Sequence, residues 1–494
     1  MPTHSQNQNQ HKKSSSYSHL DIKIIVNSIL LVLYALLIGI VIFLMYSHNI
    51  LAFRHFNIIY TILLVVVFII SLVLIIQKKA RLLVSVLLVI FSIVAAASLF
   101  AFKSLIDVAD NMNETASYSE IDMSIVVPTN SPVSDVTELS GVQAPTGADG
   151  SNISALLSQI KSDKGVDLTT DTVDSYQVAY KNLINGDSQA MVLSSAYSSL
   201  LELSYDNYGA NLKTIYTYKI KKNVSNEVET TTSRKNIFNI YISGIDTYGS
   251  ISTVSRSDVN LVLTVNMNTH KILMTETPRD SYVQIPDGGA NQYDKLTHAG
   301  IYGVETSAKT LENLYGVAID YYARVNFTSF MNLIDAIGGV TVYNDQAFTS
   351  VAGDSFEAGN INLNSGKEAL TFVRERYNLN NGDYDRGNNQ VKVVQAIINK
   401  LTSLSSISNY SSIISTLTNS IQTNMSLETM MDFANAQLDS GNKFTITSQE
   451  VVGTGSTGVL VSYAMPNASL YMIQLDDTSV ANASQTIKDI MEGK

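Results

Sequence analysis

The chain contains no cysteine. That excludes disulfides, thiolate metal sites and cysteine nucleophiles. Charge is also sparse: 15% of the residues are Asp, Glu, Lys or Arg, and the net charge is -11. A nucleic-acid partner needs a basic face, so none is expected. There is no Walker loop. Gly453-Thr-Gly-Ser-Thr-Gly458 has the spacing G-x-G-x-x-G, but strand-like residues 459–463 follow it instead of a helix. The dinucleotide reading therefore fails and a glycine turn is expected. Ser158 and Lys161 match S-x-x-K without the partner motifs of a serine acyltransferase. His270 and His298 have no metal-like partner in sequence and read as structural.

Long apolar runs are present, and all of them lie early. Residues 24–46, 58–76 and 82–102 form three runs of about 20 residues, each long enough to cross a bilayer as a helix. The first is too long, and too closely followed by the others, for a cleaved signal peptide. Lys12, Lys13 and Lys23 precede the first run, and Lys78, Lys79 and Arg81 fill the turn after the second. The loop after the first run offers only Arg54. The positive-inside rule then puts the N-terminus and second loop in the cytoplasm, and everything after about residue 103 outside. A large exported region without cysteine suits a bacterial surface that lacks an oxidising periplasm.

Residues 1–22 are polar and read as a disordered cytoplasmic tail. Residues 118–222 read as a small α+β domain, with strands at 121–127, 190–193 and 214–222 and helices at 151–161 and 171–185. Asp171 or Thr172 would cap the second helix. Residues 223–235 form a polar linker. From 236 to 494 strands and helices alternate: strands at 237–243, 258–266 and 271–277, then helices at 307–315, 327–337, 365–373 and 389–404. Helices at 410–419 and 426–438, strands at 444–450 and 459–463 and a helix at 477–491 complete this part.

Arginines and aspartates gather at the ends of these elements. Strands 258–266 and 271–277 flank a short polar turn and should pair as an antiparallel hairpin. Asp258 and Arg279 then meet at its open end. Arg256 and Asp258 share a face of an extended chain, and Asp246 follows the strand that should lie alongside. A surface salt-bridge cluster is the plain alternative. Ser365 and Glu368 form a capping box for the helix that carries Arg374 at its end. Inside a helix Arg374 and Arg376 would diverge by about 200°. They converge only if the helix stops near Val373. Arg386 and Gln390 share a face if a helix begins near Asp385, leaving 378–384 as a flexible loop. Guanidinium forks beside paired carboxylates suit a phosphorylated ligand with a divalent metal.

Asn239-Ile-Tyr-Ile-Ser-Gly-Ile-Asp246, Ser255-Arg-Ser-Asp258, Thr277-Pro-Arg-Asp280, Phe372-Val-Arg-Glu-Arg376 and Asp383-Tyr-Asp-Arg-Gly-Asn-Asn-Gln390 occur in order. This set resembles the LytR-CpsA-Psr family. The order of three spans, a small domain and this domain is similar in particular to its streptococcal capsular members. The resemblance implies a three-helix transmembrane region, a small α+β accessory domain, and a larger α/β catalytic domain, an α-β-α sandwich around a mixed sheet.

It further implies a membrane enzyme on the outer face of a Gram-positive cell. The enzyme would move a capsular glycopolymer from a polyprenyl-pyrophosphate carrier onto peptidoglycan, alongside other capsule assembly proteins. By position, Asp246 and Asp258 would hold Mg²⁺, with Mn²⁺ as the alternative. Arg256, Arg279, Arg374, Arg376 and Arg386 would contact the pyrophosphate, supported by Asp383 and Gln390. Phe327, Phe330, Met331, Ile334 and Ile337 are the candidates for a lipid tunnel, although a helix with that period buries one face in any case. The general base stays open between Asp246 and Asp258. A membrane sensor of capsule assembly and a polyprenyl-pyrophosphate phosphatase are the alternative readings.

Overall fold

The computed structural model describes residues 22–224, 236–401, 421–441 and 444–494. The expected tail at 1–22, except Ile22, which opens the first helix, the expected linker at 223–235 from residue 225 onward, and the helix expected at 410–419 lie outside the described residues. The chain divides into two compact units, 1–103 and 104–494.

The first unit contains helices α1 (Ile22–Ser47) and α2 (Phe56–Ile76) and most of α3 (Arg81–Ala116). All three are long and apolar enough to cross a membrane. Isolated polar groups tie them together. Tyr34 Oη donates to the Leu64 carbonyl at 3.0 Å, and Ser85 Oγ donates to Asn27 Oδ1 at 2.6 Å. Tyr60 and Ser98 share a hydroxyl hydrogen bond of 2.7 Å. Such bonds satisfy groups that hydrocarbon could not. At 36 residues α3 is roughly 54 Å long, and its residues 104–116 belong to the second unit.

The second unit opens with a five-stranded mixed sheet in the order β3-β2-β4-β1-β5. Its strands are β1 (Tyr118–Pro128), β2 (Gly141–Ala144), β3 (Thr169–Thr172), β4 (Met191–Ser194) and β5 (Leu212–Asn223). Helices α4 (Thr146–Lys164), α5 (Tyr176–Asn185) and α6 (Ser198–Ser204) complete this lobe. The helix expected from residue 171 starts later. Residues 169–172 pair with β2, and Ser175 is the true cap, accepting from the Val178 N–H at 3.3 Å. Gly186, at φ 84°, ends α5 in the left-handed region that favours glycine.

The larger lobe is built on a six-stranded mixed sheet ordered β16-β11-β6-β7-β8-β17. In chain order its strands are β6 (Ile237–Ile245), β7 (Ser257–Asn266) and β8 (Lys271–Glu276). A hairpin of β9 (Tyr282–Ile285) and β10 (Gln292–Lys295) follows, then helix α7 (Val304–Tyr315) and strand β11 (Tyr321–Asn326). Helix α8 (Phe327–Ala336) leads to strands β12 (Val340–Asn344), β13 (Phe348–Thr349), β14 (Ser355–Phe356) and β15 (Gly359–Leu363), which form two small hairpin-like pairs. Helices α9 (Gly366–Arg374) and α10 (Asp383–Leu401) come next. The chain closes with β16 (Gln422–Thr423), α11 (Leu427–Ser440), β17 (Thr445–Glu450), β18 (Gly453–Thr457), β19 (Tyr471–Leu475) and α12 (Asp477–Met491).

Period-two alternation makes this lobe a sandwich. Phe238, Leu261, Leu263, Val265 and Met274 pack with α10 and α11 side chains such as Val391, Val394 and Phe433. The intervening Tyr241, Val262 and Leu273 pack with Leu311, Tyr315, Ala483 and Ile487 of α7 and α12. Two expectations are corrected near the C-terminus. Residues 459–463 form no strand, and Gly453-x-Gly455 is not a turn. Those residues are β18, which pairs with β19 and leaves no room for side chains at Gly453 or Gly455.

Candidate functional site

Strand order brings the charged residues together. Ile245 pairs with Ser257 across the antiparallel β6–β7 ladder. Asp246, one step past β6, therefore stands beside Arg256, one step before β7. Arg256 donates to Asp246 Oδ2 from Nε at 3.1 Å and again from Nη2. Ser255 Oγ donates to Asp246 Oδ1 at 2.6 Å. Ser257 faces the other way, bonded to Tyr241 and Ser243, so Arg256 and Asp258 share the opposite face. The β7–β8 hairpin delivers Asp258 to Arg279, with which it is ion-paired. Thr297 Oγ1 adds a 3.2 Å bond to Asp258. Burial by itself would raise the Asp258 carboxyl, but Arg279, Arg256 and Arg386 together hold it below the usual range. Gly300 lets its segment lie directly on the peptides of Arg256, where a Cβ would collide with backbone.

The second half of the site depends on how α9 ends. Ser365 accepts from the Glu368 N–H at 3.2 Å, as expected of its cap. Gly366 lets α9 touch the backbone of Met331 in α8. The helix stops at Arg374, and Glu375 is extended, with φ -64° and ψ 137°. The buried Glu375 carboxylate holds this turn. Its Oε1 accepts the N–H groups of Arg376, Tyr377 and Asn378 at 2.8–3.0 Å, and its Oε2 accepts that of Val351 at 2.7 Å. Burial works against its charge, yet these four donors keep it below the ordinary range. The Arg374 guanidinium lies 4.4 Å from the centre of the Phe327 ring. Arg376 lies 4.6 Å from the Tyr377 ring and donates to its hydroxyl at 2.6 Å. Among the described residues, neither arginine has an ion-paired carboxylate.

These groups line one cavity of about 550 Å³. Asp246, Arg256, Asp258, Arg279, Arg374, Arg376, Arg386 and Gln390 all face it. Much of the remaining wall is apolar, including Ile242, Val259, Phe330, Leu370, Val393 and Val394, with Asn326 and Glu202 as polar members. Arg256 Nη1 is buried without a hydrogen-bond partner, a donor left over for a ligand.

Asp383 does not line this cavity. It is the first residue of α10, not part of a loop, and is ion-paired with Arg386. Burial pushes its carboxyl up despite that pair. Asp383 faces a second cavity of about 370 Å³. Of the five apolar candidates, only Phe327 and Phe330 reach the first cavity. Ile334 and Ile337 are buried in the core behind it, and Met331 packs on that core. His298 is buried against Asp294 at 2.9 Å, with Ser462 on the same carboxylate, and is structural.

Sequence reasoning missed several contributors. Glu375 reads as an ordinary charge between two arginines. Ser255 and Thr297 carry no pattern. Glu202 and Leu203 reach the cavity from α6 of the smaller lobe.

Fold and cavity define an α/β sandwich whose arginine-lined mouth opens into an apolar chamber. The chain belongs to the LytR_cpsA_psr family, whose model matches residues 203–485. It is 34% identical over 277 residues to the polyisoprenyl-teichoic acid–peptidoglycan teichoic acid transferase TagU of Oceanobacillus iheyensis, covering 54% of this chain and 84% of that one. TagU of Bacillus subtilis is 31% identical over 274 residues, covering 55% and 84%. The crystal structure of B. subtilis TagV is 27% identical, covers 52% of this chain and 98% of its own, and gives a TM-score of 0.45. A model described as a DNA polymerase processivity factor matches residues 78–193, which begin before α3.

Proposed function

We propose that the protein is a membrane-anchored transferase. It moves a glycopolymer, with one phosphate, from a polyprenyl-pyrophosphate carrier onto peptidoglycan. The observation that carries this reading is the pairing pattern at the mouth. Arg256, Arg279 and Arg386 are neutralised by Asp246, Asp258 and Asp383, while among the described residues Arg374 and Arg376 have no ion-paired carboxylate at the opening of an apolar chamber. A ligand with an anionic head and a hydrocarbon tail answers both features. Each buried CH₂ of such a tail contributes about 0.8 kcal/mol. The TagU relatives are polyisoprenyl-teichoic acid–peptidoglycan teichoic acid transferases by name, which supports this reading. Capsular polysaccharide is the polymer we propose here.

In the reaction an acceptor hydroxyl oxygen attacks the phosphorus attached to the polymer. The bond from that phosphorus to the bridging oxygen breaks, and polyprenyl phosphate leaves with the electron pair. The hydroxyl proton passes to water, directly or by way of the Asp246 or Asp258 carboxylate, and a phosphodiester joins polymer to acceptor. Arg374 and Arg376 hold the head in line and offset charge growing on the leaving oxygens. The apolar walls keep the tail fixed and water out. Asp246 and Asp258 offer two hard oxygen donors on one wall, and among the described residues no cluster of three His, Asp or Glu forms a full protein cage. That donor set fits Mg²⁺, which takes one or two carboxylates and completes its shell with substrate phosphates and water. When bound there, Mg²⁺ would polarise the phosphoryl oxygens. The same reading places α1–α3 in the membrane, with the N-terminus cytoplasmic and the site outside.

The test is transfer by the full-length protein in liposomes, with a synthetic lipid-linked glycopolymer and peptidoglycan oligomers. A phosphodiester-linked product and free polyprenyl phosphate are expected. Release of polymer to water alone, with acceptor present, would overturn the transferase reading.

A further inference from the structure

One segment of the larger lobe touches three of the charged residues of the site. It is the 3-10 turn Leu296–Tyr302. Thr297 Oγ1 donates to Asp258 at 3.2 Å, and the Thr297 N–H donates to the Arg279 carbonyl at 2.9 Å. Gly300 lies on the backbone around Arg256, where a Cβ would come within 2.5 Å of the Ser255 carbonyl oxygen and 2.6 Å of the Ser257 nitrogen. A shift of this turn therefore moves the backbone that carries Arg256 and the hydroxyl that holds Asp258. Arg374 and Arg376 are fixed separately, by the Glu375 turn.

The two ends of the turn belong to different cores. Leu296 and Ala299 are buried in the core of the larger lobe, and Ile301 in the core of the smaller one. The Tyr302 ring packs on both. The turn Ser195–Tyr197, which follows β4 in the smaller lobe, packs on this segment, and the Tyr197 hydroxyl faces that of Tyr302. Tyr197 is itself backed by bonded groups. Its ring lies 4.6 Å from that of Tyr176, whose hydroxyl donates to the buried Asp149 at 2.8 Å, and Asn152 donates to the same carboxylate at 2.6 Å.

The loop that leads into Arg256 is also held by the smaller lobe. The Glu120 N–H donates to the Ser252 carbonyl at 3.0 Å, and the Glu120 carbonyl accepts from the Val254 N–H at 3.3 Å. The Glu120 carboxylate accepts from the Ser252 hydroxyl at 3.1 Å. That loop has a second hold from the larger lobe, since Arg324 of β11 donates to the carbonyls of Ile251 and Thr253 at 3.2 and 2.7 Å. The Tyr302 contact isolates the contribution of the smaller lobe better.

We infer that Tyr302 is a positioning residue for the transfer, a role that rests on the transferase reading above. Its ring, set between the two cores, transmits the placement of the smaller lobe to Arg256 and Asp258. The smaller lobe is thereby a working part of the site. The kinetic consequence follows from which residues the turn touches. The donor is held by its tail and by Arg374 and Arg376, so its affinity survives a shifted turn. Arg256 and Asp258 face the reacting phosphate, so turnover does not survive it.

The full-length protein in nanodiscs provides the test. Tyr302→Leu keeps an apolar side chain without the bridging ring, and Tyr302→Phe keeps the ring. Tyr197→Leu removes the facing ring from the smaller lobe and leaves the larger lobe unaltered. Three quantities are measured: affinity for bare polyprenyl pyrophosphate, kcat with a lipid-linked glycopolymer and peptidoglycan oligomers, and amide hydrogen exchange. In Tyr302→Leu, kcat falls about tenfold while lipid affinity stays within about twofold of wild type. Exchange rises at 255–260 and stays constant at 374–378. Tyr302→Phe restores both kcat and exchange. Tyr197→Leu reproduces the loss, and the double variant with Tyr302→Leu is no worse than either single one, as two residues acting through one contact require. The Tyr197→Leu result decides by itself if Tyr302→Leu does not fold. Unchanged exchange at 255–260, unchanged kcat, or kcat and lipid affinity falling in parallel would overturn the inference. Failure of the transferase reading shows differently. The wild type then forms no phosphodiester product, and exchange at 255–260 still decides whether Tyr302 positions the strand that carries Arg256 and Asp258.

Discussion

Arg374 and Arg376 line one cavity although only Glu375 separates them. A continuing helix would send them to opposite sides. The helix ends between them because the Glu375 carboxylate draws in four backbone N–H groups and pulls the chain into an extended step. The result is a pair of guanidinium groups without an ion-paired carboxylate among the described residues, each laid on an aromatic ring, at the mouth of an apolar chamber.

Arg374→Ala should weaken polyprenyl-pyrophosphate binding about 10–100-fold, the loss expected for a charged hydrogen-bonding partner. Arg374→Lys should recover little of this, because an ammonium cannot reproduce the planar fork or its stacking on Phe327. Titration calorimetry with the purified protein measures both. The melting temperature should barely move, since Arg374 is ion-paired to nothing among the described residues.

Glu375→Ala should impair the site without touching a ligand. It removes the acceptor of four N–H groups beneath a buried turn, a cost of about 3 kcal/mol in stability. Lipid affinity should fall along with it, because Arg376 loses its orientation. Thermal unfolding and binding on one preparation check the two effects together.

Arg279→Ala should destabilise far more than Arg376→Ala. Arg279 is 7% exposed and neutralises Asp258, itself 20% exposed. Removing it strands a buried carboxylate, typically at about 3–5 kcal/mol. The double variant Arg279→Ala, Asp258→Asn should regain part of that stability while staying inactive. Denaturant unfolding of the three proteins provides the comparison.

A carboxyl pair gives the fold a pH dependence. Glu276 of β8 and Glu450 of β17 are register partners. Burial raises Glu276 well above the ordinary range, with the neighbouring Glu450 and Asp383 adding to it. Burial likewise raises Glu450 to about 7, helped by Asp385 and Asp383. An acid raised on folding binds more protons in the folded state than in the unfolded one. Its contribution is complete at low pH, begins to fall above the unfolded value near 4.5, and is lost as pH rises through about 7. The melting temperature should therefore drop between about pH 5 and about pH 8, and Glu450→Gln should flatten that slope. A slope unchanged in the variant would show that another group is responsible.

Much of this arrangement is legible in the sequence, and the rest is hidden for physical reasons. The hairpin meeting of Asp258 and Arg279 follows from period two and a short turn. The convergence of Asp246 and Arg256 follows from the strand order. The three apolar helices follow from length and composition. The start of α10 at Asp383 was not legible, because its polar first turn reads as loop. Nor was the contribution of Leu203, since nothing local indicates which distant surface a short helix will meet. The lipid-facing set was legible only in part. Phe327 and Phe330 share the helical period of Ile334 and Ile337, and only tertiary packing decides which end of that stripe meets a cavity.

Locating the phosphorus atoms of bound polyprenyl pyrophosphate tests the central claim most directly. A crystal structure of the complex should place the phosphate oxygens about 2.8 Å from guanidinium nitrogens of Arg374, Arg376 and Arg279. The tail should run past Phe330 toward Val393. A head group bound elsewhere, with these arginines unengaged, would contradict the account.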